Sequence, residues 1–371
     1  MIAAVDASFH VPGRGGGVET VVRGLLGAWP RGKGDRLVVY VSRPGRGDLP
    51  LPEGSRERAV PLARFRGFRT AWQQALLPLV SRDGAHVLFS PANVGPLAGG
   101  PPLVLLVHDC SPYLFPSMYS PPERLALRAL MAFSARRAAA VVTLGRSVRQ
   151  EVMELFGLPP ARVEDVGAGV DPAFFRPGQA APPFEARPLA GDYVLYAGKY
   201  AANKNLENLL AAMALLEREH GVAAPLVLAG PVDRAGGLLS QLARKAGLSP
   251  DRLLFTGRVD RPVLAALMAA ARAFVYPSWY EGFGLPVLEA MAAGTPVAAS
   301  RAVAEAVGDA ALLFDPAKPS DMALALAKLC GDRALAADLR ERGLARAAEH
   351  RGWDGPARAV RRVLARAAGA A

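Results

Sequence analysis

Two carboxylates with seven residues between them, Glu281 and Glu289, frame the segment WYEGFGLPVLEAMAAGTP over residues 279–296. Gly282, Phe283 and Gly284 follow the first carboxylate, then Leu285, Pro286 and an apolar run that ends at Gly294. Proline costs nothing in the first turn of a helix, where its missing N–H has no partner in any case. Glycine suits the position just past a helix end. The spacing therefore predicts a glycine-rich loop at 281–284 that opens a helix. The unpaired amides of such a helix start favour an anion such as a diphosphate. Glu281 falls on the loop and Glu289 about one turn into the helix, a placement from which one can reach a sugar ring while the other holds a ribose.

Three more segments carry groups of the right kind. In YVLYAGKYAANKN, residues 193–205, a strand ends at a glycine turn with Gly198, and Lys199 and Lys204 precede a helix. The chain has only six lysines, and two of them are here. Two cations at such a point stabilise a leaving phosphate. In LVLLVHDCSPYLFP, residues 103–116, His108 and Asp109 stand at the end of a buried strand. In PGRGGGVET, residues 12–20, a glycine cluster with Gly16 and Gly17 links the first strand to a helix. That cluster fits a dinucleotide fingerprint only loosely, and no acidic residue follows a second strand at the right distance.

Taken together these segments resemble retaining glycosyltransferases of the GT-B fold, in particular glycosyltransferase family 4 and its bacterial mannosyltransferase-like members. EGFGLPVLEAMAAGTPV resembles the family's Glu-x7-Glu signature. YVLYAGKYAANKN resembles its Gly-Arg-x4-Lys element, with Lys199 in place of the arginine, which keeps the charge and loses the bidentate fork. VGAGVDP resembles its Pro-Asn-Gly-Val-Asp segment, with Ala168 for the asparagine, and Gly145 and Val148 replace two serines of a nearby helix start. The resemblance implies a catalytic group of His108, Glu281, Lys199 and Lys204. It implies substrate contacts from Gly16, Gly17, Asp109, Gly198, Gly282, Phe283, Gly284, Leu285 and Glu289. It implies no cofactor and no metal, because the lysines clamp the diphosphate. It further implies a nucleotide diphosphate sugar donor, GDP-mannose first and UDP-sugars next, and a glycan or lipid-linked acceptor in cell-surface polysaccharide or glycoconjugate synthesis. Retention is ascribed to front-face attack, in which the leaving phosphate takes the acceptor's proton. Glu305, in the segment after the signature helix, reads as structural. An epimerase on the same fold, or a non-catalytic basic binding protein for lipid or nucleic acid with a degenerate donor site, are the competing readings.

The elements that must position these groups follow a regular rhythm. IAAVDA, RLVVYVS, HVLFSP, PLVLLVHD and AVVTLG read as buried strands in the first half, and YVLYAG, PLVLAG, RLLFTG, AFVYPS, PVAAS and ALLFDP in the second. Helical patterns fall at 18–29, 121–138, 146–156, 205–220, 236–247, 262–271 and 286–293. Such alternation predicts α/β architecture, with parallel sheets covered by helices on both faces. The proline-rich stretch after Asp171 lacks periodicity, which places a linker at 173–190. The expected domains are 1–172, an acceptor domain, and 191–352, a donor domain, facing each other across a cleft. Trp353 and the last helix, 353–371, are expected to cross back to the first.

Composition narrows the class. Half-apolar composition with 21% charge belongs to a globular chain, and 371 residues suffice for two cores. Two cysteines far apart give neither a metal spacing nor a disulfide framework, consistent with a cytoplasmic protein. Residues 1–9 read as a strand rather than a signal peptide, and no apolar run has the length of a membrane span. The net charge is +11, and Arg56, Arg58, Arg64, Arg66 and Arg69 cluster around an apolar stretch. This basic face is suited to peripheral contact with an anionic membrane surface; a solvated face over a core helix explains it equally well. No nucleic-acid motif accompanies the charge.

Overall fold

The computed structural model describes residues 1–9, 16–30, 34–42, 49–60, 72–76, 83–176, 192–231 and 235–369. The chain divides into two compact units, Met1–Gly169 with Gly352–Ala371, and Val170–Arg351. Residues 173–175, expected to begin a linker, instead form part of the 3-10 turn Pro172–Phe175, which belongs to the second unit. Burial of Phe174 in that unit's core accounts for the difference. The rest of the expected linker lies outside the described residues, apart from Arg176.

Among the described residues the first unit is built on seven parallel strands: β1 (Ile2–Ala7), β2 (Arg36–Val41), β3 (Arg56–Ala59), β4 (Val87–Ser90), β5 (Leu103–Leu106), β6 (Ala140–Thr143) and β7 (Val163–Asp165), in the order β3-β2-β1-β4-β5-β6-β7. The second has six: β8 (Val194–Ala197), β9 (Leu226–Ala229), β10 (Leu253–Gly257), β11 (Ala273–Tyr276), β12 (Val297–Ser300) and β13 (Leu312–Phe314), in the order β10-β9-β8-β11-β12-β13. Central strands such as β8 and β11 are buried along their whole length, which is why they read as unbroken apolar runs. Register is plain in the pairs Ala273↔Val194 and Phe274↔Leu195. Two strands escaped the sequence reading, β3 (RERA) and β7 (VED). Both lie at sheet edges, where pairing through the backbone needs no buried side chains on either face. Arg56 and Arg58 lie on β3, and Arg58 pairs with Asp83 at 2.8 Å. Arg64, Arg66 and Arg69 lie outside the described residues.

The final helix, Asp354–Ala367, packs within the first unit on the helix Gly17–Gly27 and on β4. Gly24 makes this possible, since a Cβ there would stand 2.3 Å from the Trp353 ring. Arg361 pairs with Asp35 at 2.5 Å, and Arg366 pairs with Glu164. Among the described residues, no helix is long and apolar enough to cross a membrane.

Candidate active site

In each unit the strand order reverses direction once, between β1 and β4 in the first and between β8 and β11 in the second. Loops leaving the carboxyl ends of the two strands at such a point diverge and leave a crevice for ligands. In the second unit those loops are the ones that carry Lys199, Lys204 and Glu281.

Lys204 ends the 3-10 turn Ala202–Lys204 after β8, and Glu281 follows β11. The Lys204 ammonium donates to Glu281 Oε1, and it also lies 3.3 Å from the Tyr276 hydroxyl. The same ammonium sits 5.4 Å from the centre of the Tyr276 ring, and the Tyr276 ring stacks on Tyr196 at 6.1 Å. The contact between loops so distant in sequence is built by Asn205. This residue has a left-handed backbone (φ 56°) and opens the helix Leu206–His220. Its buried amide donates to Pro277 O at 3.0 Å and Pro316 O at 2.8 Å, tying the β8 loop to the chain just past β11 and just past β13. Trp279 N adds a bond to Asn203 O at 2.8 Å. Lys199, by contrast, stands exposed, and its side chain has no ion pair among the described residues. Its carbonyl accepts from the Tyr196 hydroxyl at 3.0 Å, which shapes the turn at Gly198.

Gly284 caps the helix Leu285–Ala292 with φ +103°, a conformation that favours glycine. A Cβ there would also meet Val303 Cγ1 at 2.6 Å. The amides of Gly282, Phe283, Gly284 and Leu285 donate to no acceptor among the described residues, leaving four donors at a helix start. Phe283 packs edge-on against His350, with ring centres 5.6 Å apart.

Glu289 is buried on that helix, and burial pushes its carboxyl pKa up. Arg261 opposes the shift by donating from Nη2 to Glu289 Oε1 at 3.1 Å, while nearby Asp171 adds to it. Arg261, Asn205 and Tyr276 were absent from the site residues drawn from the sequence. Arg261 is one of 38 arginines and stood out by nothing in its own segment. Asn205, just after Lys204 and just before a helical run, was the one with a local signal.

In the first unit, His108 follows β5 and is buried. Its Nε2 lies 2.7 Å from Pro91 O. A carbonyl only accepts, so Nε2 carries the proton and Nδ1 is left as an acceptor. Burial lowers the imidazole pKa, against opposing contributions from the Pro91 hydrogen bond and Asp109, and this favours the neutral ring. Asp109 Oδ1 accepts from Ser111 N at 2.9 Å and from the Ser111 hydroxyl, which in turn meets the Tyr119 hydroxyl at 2.7 Å. Asp109 thus braces the short helix Ser111–Leu114. Gly16 precedes the helix Gly17–Gly27 in extended backbone, and among the described residues a Cβ on Gly17 would meet nothing within 4 Å.

A cation–carboxylate pair and four amides without a protein acceptor among the described residues thus stand at the switch point of the second unit. Residues 191–332 match the family described as Glycosyl transferases group 1, and residues 15–174 match Glycosyltransferase Family 4. The chain belongs to this glycosyltransferase family. Among curated relatives it is 35% identical over 219 residues to O-antigen chain mannosyltransferase B of Escherichia coli, a match covering 57% of each chain. It is 37% identical over 231 residues to D-inositol 3-phosphate glycosyltransferase 2 of Catenulispora acidiphila, covering 58% of this chain and 53% of the relative. The chain thus spans little more than half the length of these relatives. Sucrose-phosphate synthase from Thermosynechococcus elongatus superposes with a TM-score of 0.77 at 19% identity, over 100% of both chains. Anabaena HepE in complex with UDP and glucose superposes with a TM-score of 0.73 at 17% identity, over 99% of this chain and 100% of that one. The fold is the GT-B fold.

Proposed function

We propose that this protein is a retaining glycosyltransferase that moves mannose from GDP-mannose to a glycan or lipid-linked acceptor in surface polysaccharide or glycoconjugate synthesis. The observation that carries the reading is the Lys204–Glu281 pair beside the free amides of 282–285. In the reaction the bond between the anomeric carbon and the diphosphate oxygen breaks as the acceptor oxygen bonds to the same face of that carbon. The acceptor's proton passes to the departing phosphate. Lys204, Lys199 and the loop amides stabilise the charge that grows on the diphosphate. Glu281 contacts the sugar hydroxyls and supports the positive charge at the anomeric carbon. Glu289 accepts from the ribose hydroxyls. On the first unit His108, through Nδ1, accepts from a sugar or acceptor hydroxyl, and the open space over Gly17 admits a ligand. The lysines do the work that a divalent ion does elsewhere, so a chelator is expected to leave turnover unchanged. The site of action is the cytoplasm, and a lipid-linked acceptor would be met at the inner face of the membrane.

The E. coli relative's name supports mannose. The Anabaena complex with UDP and glucose favours a second reading, a UDP-sugar donor on the same machinery. A thermal-shift comparison of GDP, UDP, ADP, TDP and their sugar conjugates decides between them. A ligand at about 100 times its dissociation constant adds roughly 2.7 kcal/mol, an easily read shift. GDP and GDP-mannose are expected to stabilise most. A larger response to UDP overturns the donor, and no response to any nucleotide overturns the reading.

A further inference from the structure

The donor site contains a second ion-pair system, separate from Lys204 and Glu281, whose shape has a specific consequence. Arg261 is the first residue of the helix Arg261–Ala270. Its Nε donates to Asp171 Oδ2 at 3.0 Å and its Nη2 to Glu289 Oε1 at 3.1 Å. The guanidinium carbon lies 4.9 Å from the centre of the Phe174 ring. Asp171 is itself fixed, because its other oxygen accepts from Ala173 N at 2.9 Å in the turn that buries Phe174. The arginine is therefore held on its Nε edge and over its face, with one remaining corner aimed at Glu289. It binds only one oxygen of that carboxylate. Glu289 Oε2 has no protein donor among the described residues.

We propose that Arg261 is a positioning residue that presents Glu289 to the donor's ribose, occupying Oε1 and leaving Oε2 to accept from a ribose hydroxyl. This rests on the reading of Glu289 as the ribose contact. A salt bridge serving stability alone gains most when both carboxylate oxygens meet the arginine fork; here the second oxygen is left for something else. The side chain of Glu289 is 8% exposed, so without a fixed cation it would be an uncompensated buried charge. A lysine cannot replace the arginine fully, because a single ammonium cannot follow the rigid fork that joins Asp171 to Glu289.

The test compares Kd for a ribonucleoside diphosphate and its 2′,3′-dideoxy analogue in the full chain. It uses GDP or UDP, whichever stabilises the wild type more. A hydrogen bond to a charged acceptor sets the expected wild-type preference for the ribo form at about tenfold or more. Arg261→Met and Glu289→Gln are each expected to bring that preference to within about threefold, since the first removes the group that orients the carboxylate and the second removes the carboxylate itself. Arg261→Lys, which keeps the charge and protects against loss of folding, is expected to fall between. A merely structural arginine would weaken both nucleotides equally, so an unchanged preference in Arg261→Met, or in Arg261→Lys where the first variant does not fold, overturns the proposal. In that case the donor-site reading stands. Failure of the wild type to bind either nucleotide overturns both.

Discussion

Glu281→Gln separates the two jobs assigned to the Lys204–Glu281 pair. The two side chains are 15% and 13% exposed, so the pair is neither sealed nor solvated. Removing one partner of a buried pair costs about 3–5 kcal/mol, whereas an exposed pair contributes about 0–1. An intermediate loss of about 2 kcal/mol is expected here, because Tyr276 continues to support the ammonium in the variant. Lys204→Met is expected to cost a similar amount. In Lys204→Met/Glu281→Gln no unpaired charge remains, so the double variant should lose less than the sum of the singles. Denaturant unfolding followed through tryptophan emission, to which Trp279, two residues before Glu281, contributes, measures this cycle. The functional consequence differs between the singles. Glu281→Gln frees Lys204, so nucleoside diphosphate binding should hold or tighten, while turnover falls by about 10²-fold or more through lost electrostatic support at the sugar. Lys204→Met should lose both. Stability changes that add to within about 0.5 kcal/mol would refute the pair as an energetic unit. Turnover of Glu281→Gln near the wild-type rate would refute its place at the reacting sugar.

Gly284→Ala is expected to destabilise the second unit by about 2–4 kcal/mol, combining left-handed backbone strain of roughly 1–2 with overpacking against Val303. Adding Val303→Ala should relieve the contact at 2.6 Å and leave the strain, which thermal unfolding of the single and double variants reads directly. His108 gives a pH signature. Its folded-state pKa is lowered by burial, so below the ordinary histidine value near 6.5 the unfolded chain binds the proton first. Stability is expected to fall as pH drops through that value towards the folded pKa, and His108→Gln should flatten this limb of a stability-against-pH curve.

Strand and helix placement was legible because these strands are buried on both faces. An unbroken apolar run such as YVLYAG or AFVYPS has little alternative but the middle of a parallel sheet. The helix Arg146–Phe156 fell at the expected residues, and Leu285–Ala292 came within one residue of expectation at each end, with the expected proline and glycine in place. RERA and VED were not legible, since an edge strand is specified by its neighbour's unpaired backbone rather than by its own side chains. The turn at 172–175 was obscured in the same way: Pro172 and, just after the turn, Pro177 point to irregular chain, and only a core with room for Phe174 makes it part of a unit.

By itself the sequence determined which groups were on offer: two glutamates at a helix start, two lysines after a strand, a histidine at the end of another. Local rules decide that much, because capping, periodicity and glycine conformations act over a few residues. Only the tertiary structure decided which groups meet. Lys204 and Glu281 are 77 positions apart, and they touch because β8 and β11 are neighbours in the sheet and Asn205 ties their loops together. Arg261 acquires its partners from residues 90 positions before it and 28 after it. A charged side chain carries no record in its own segment of the counter-charge that folding brings to it, so pairing of this kind belongs to the fold.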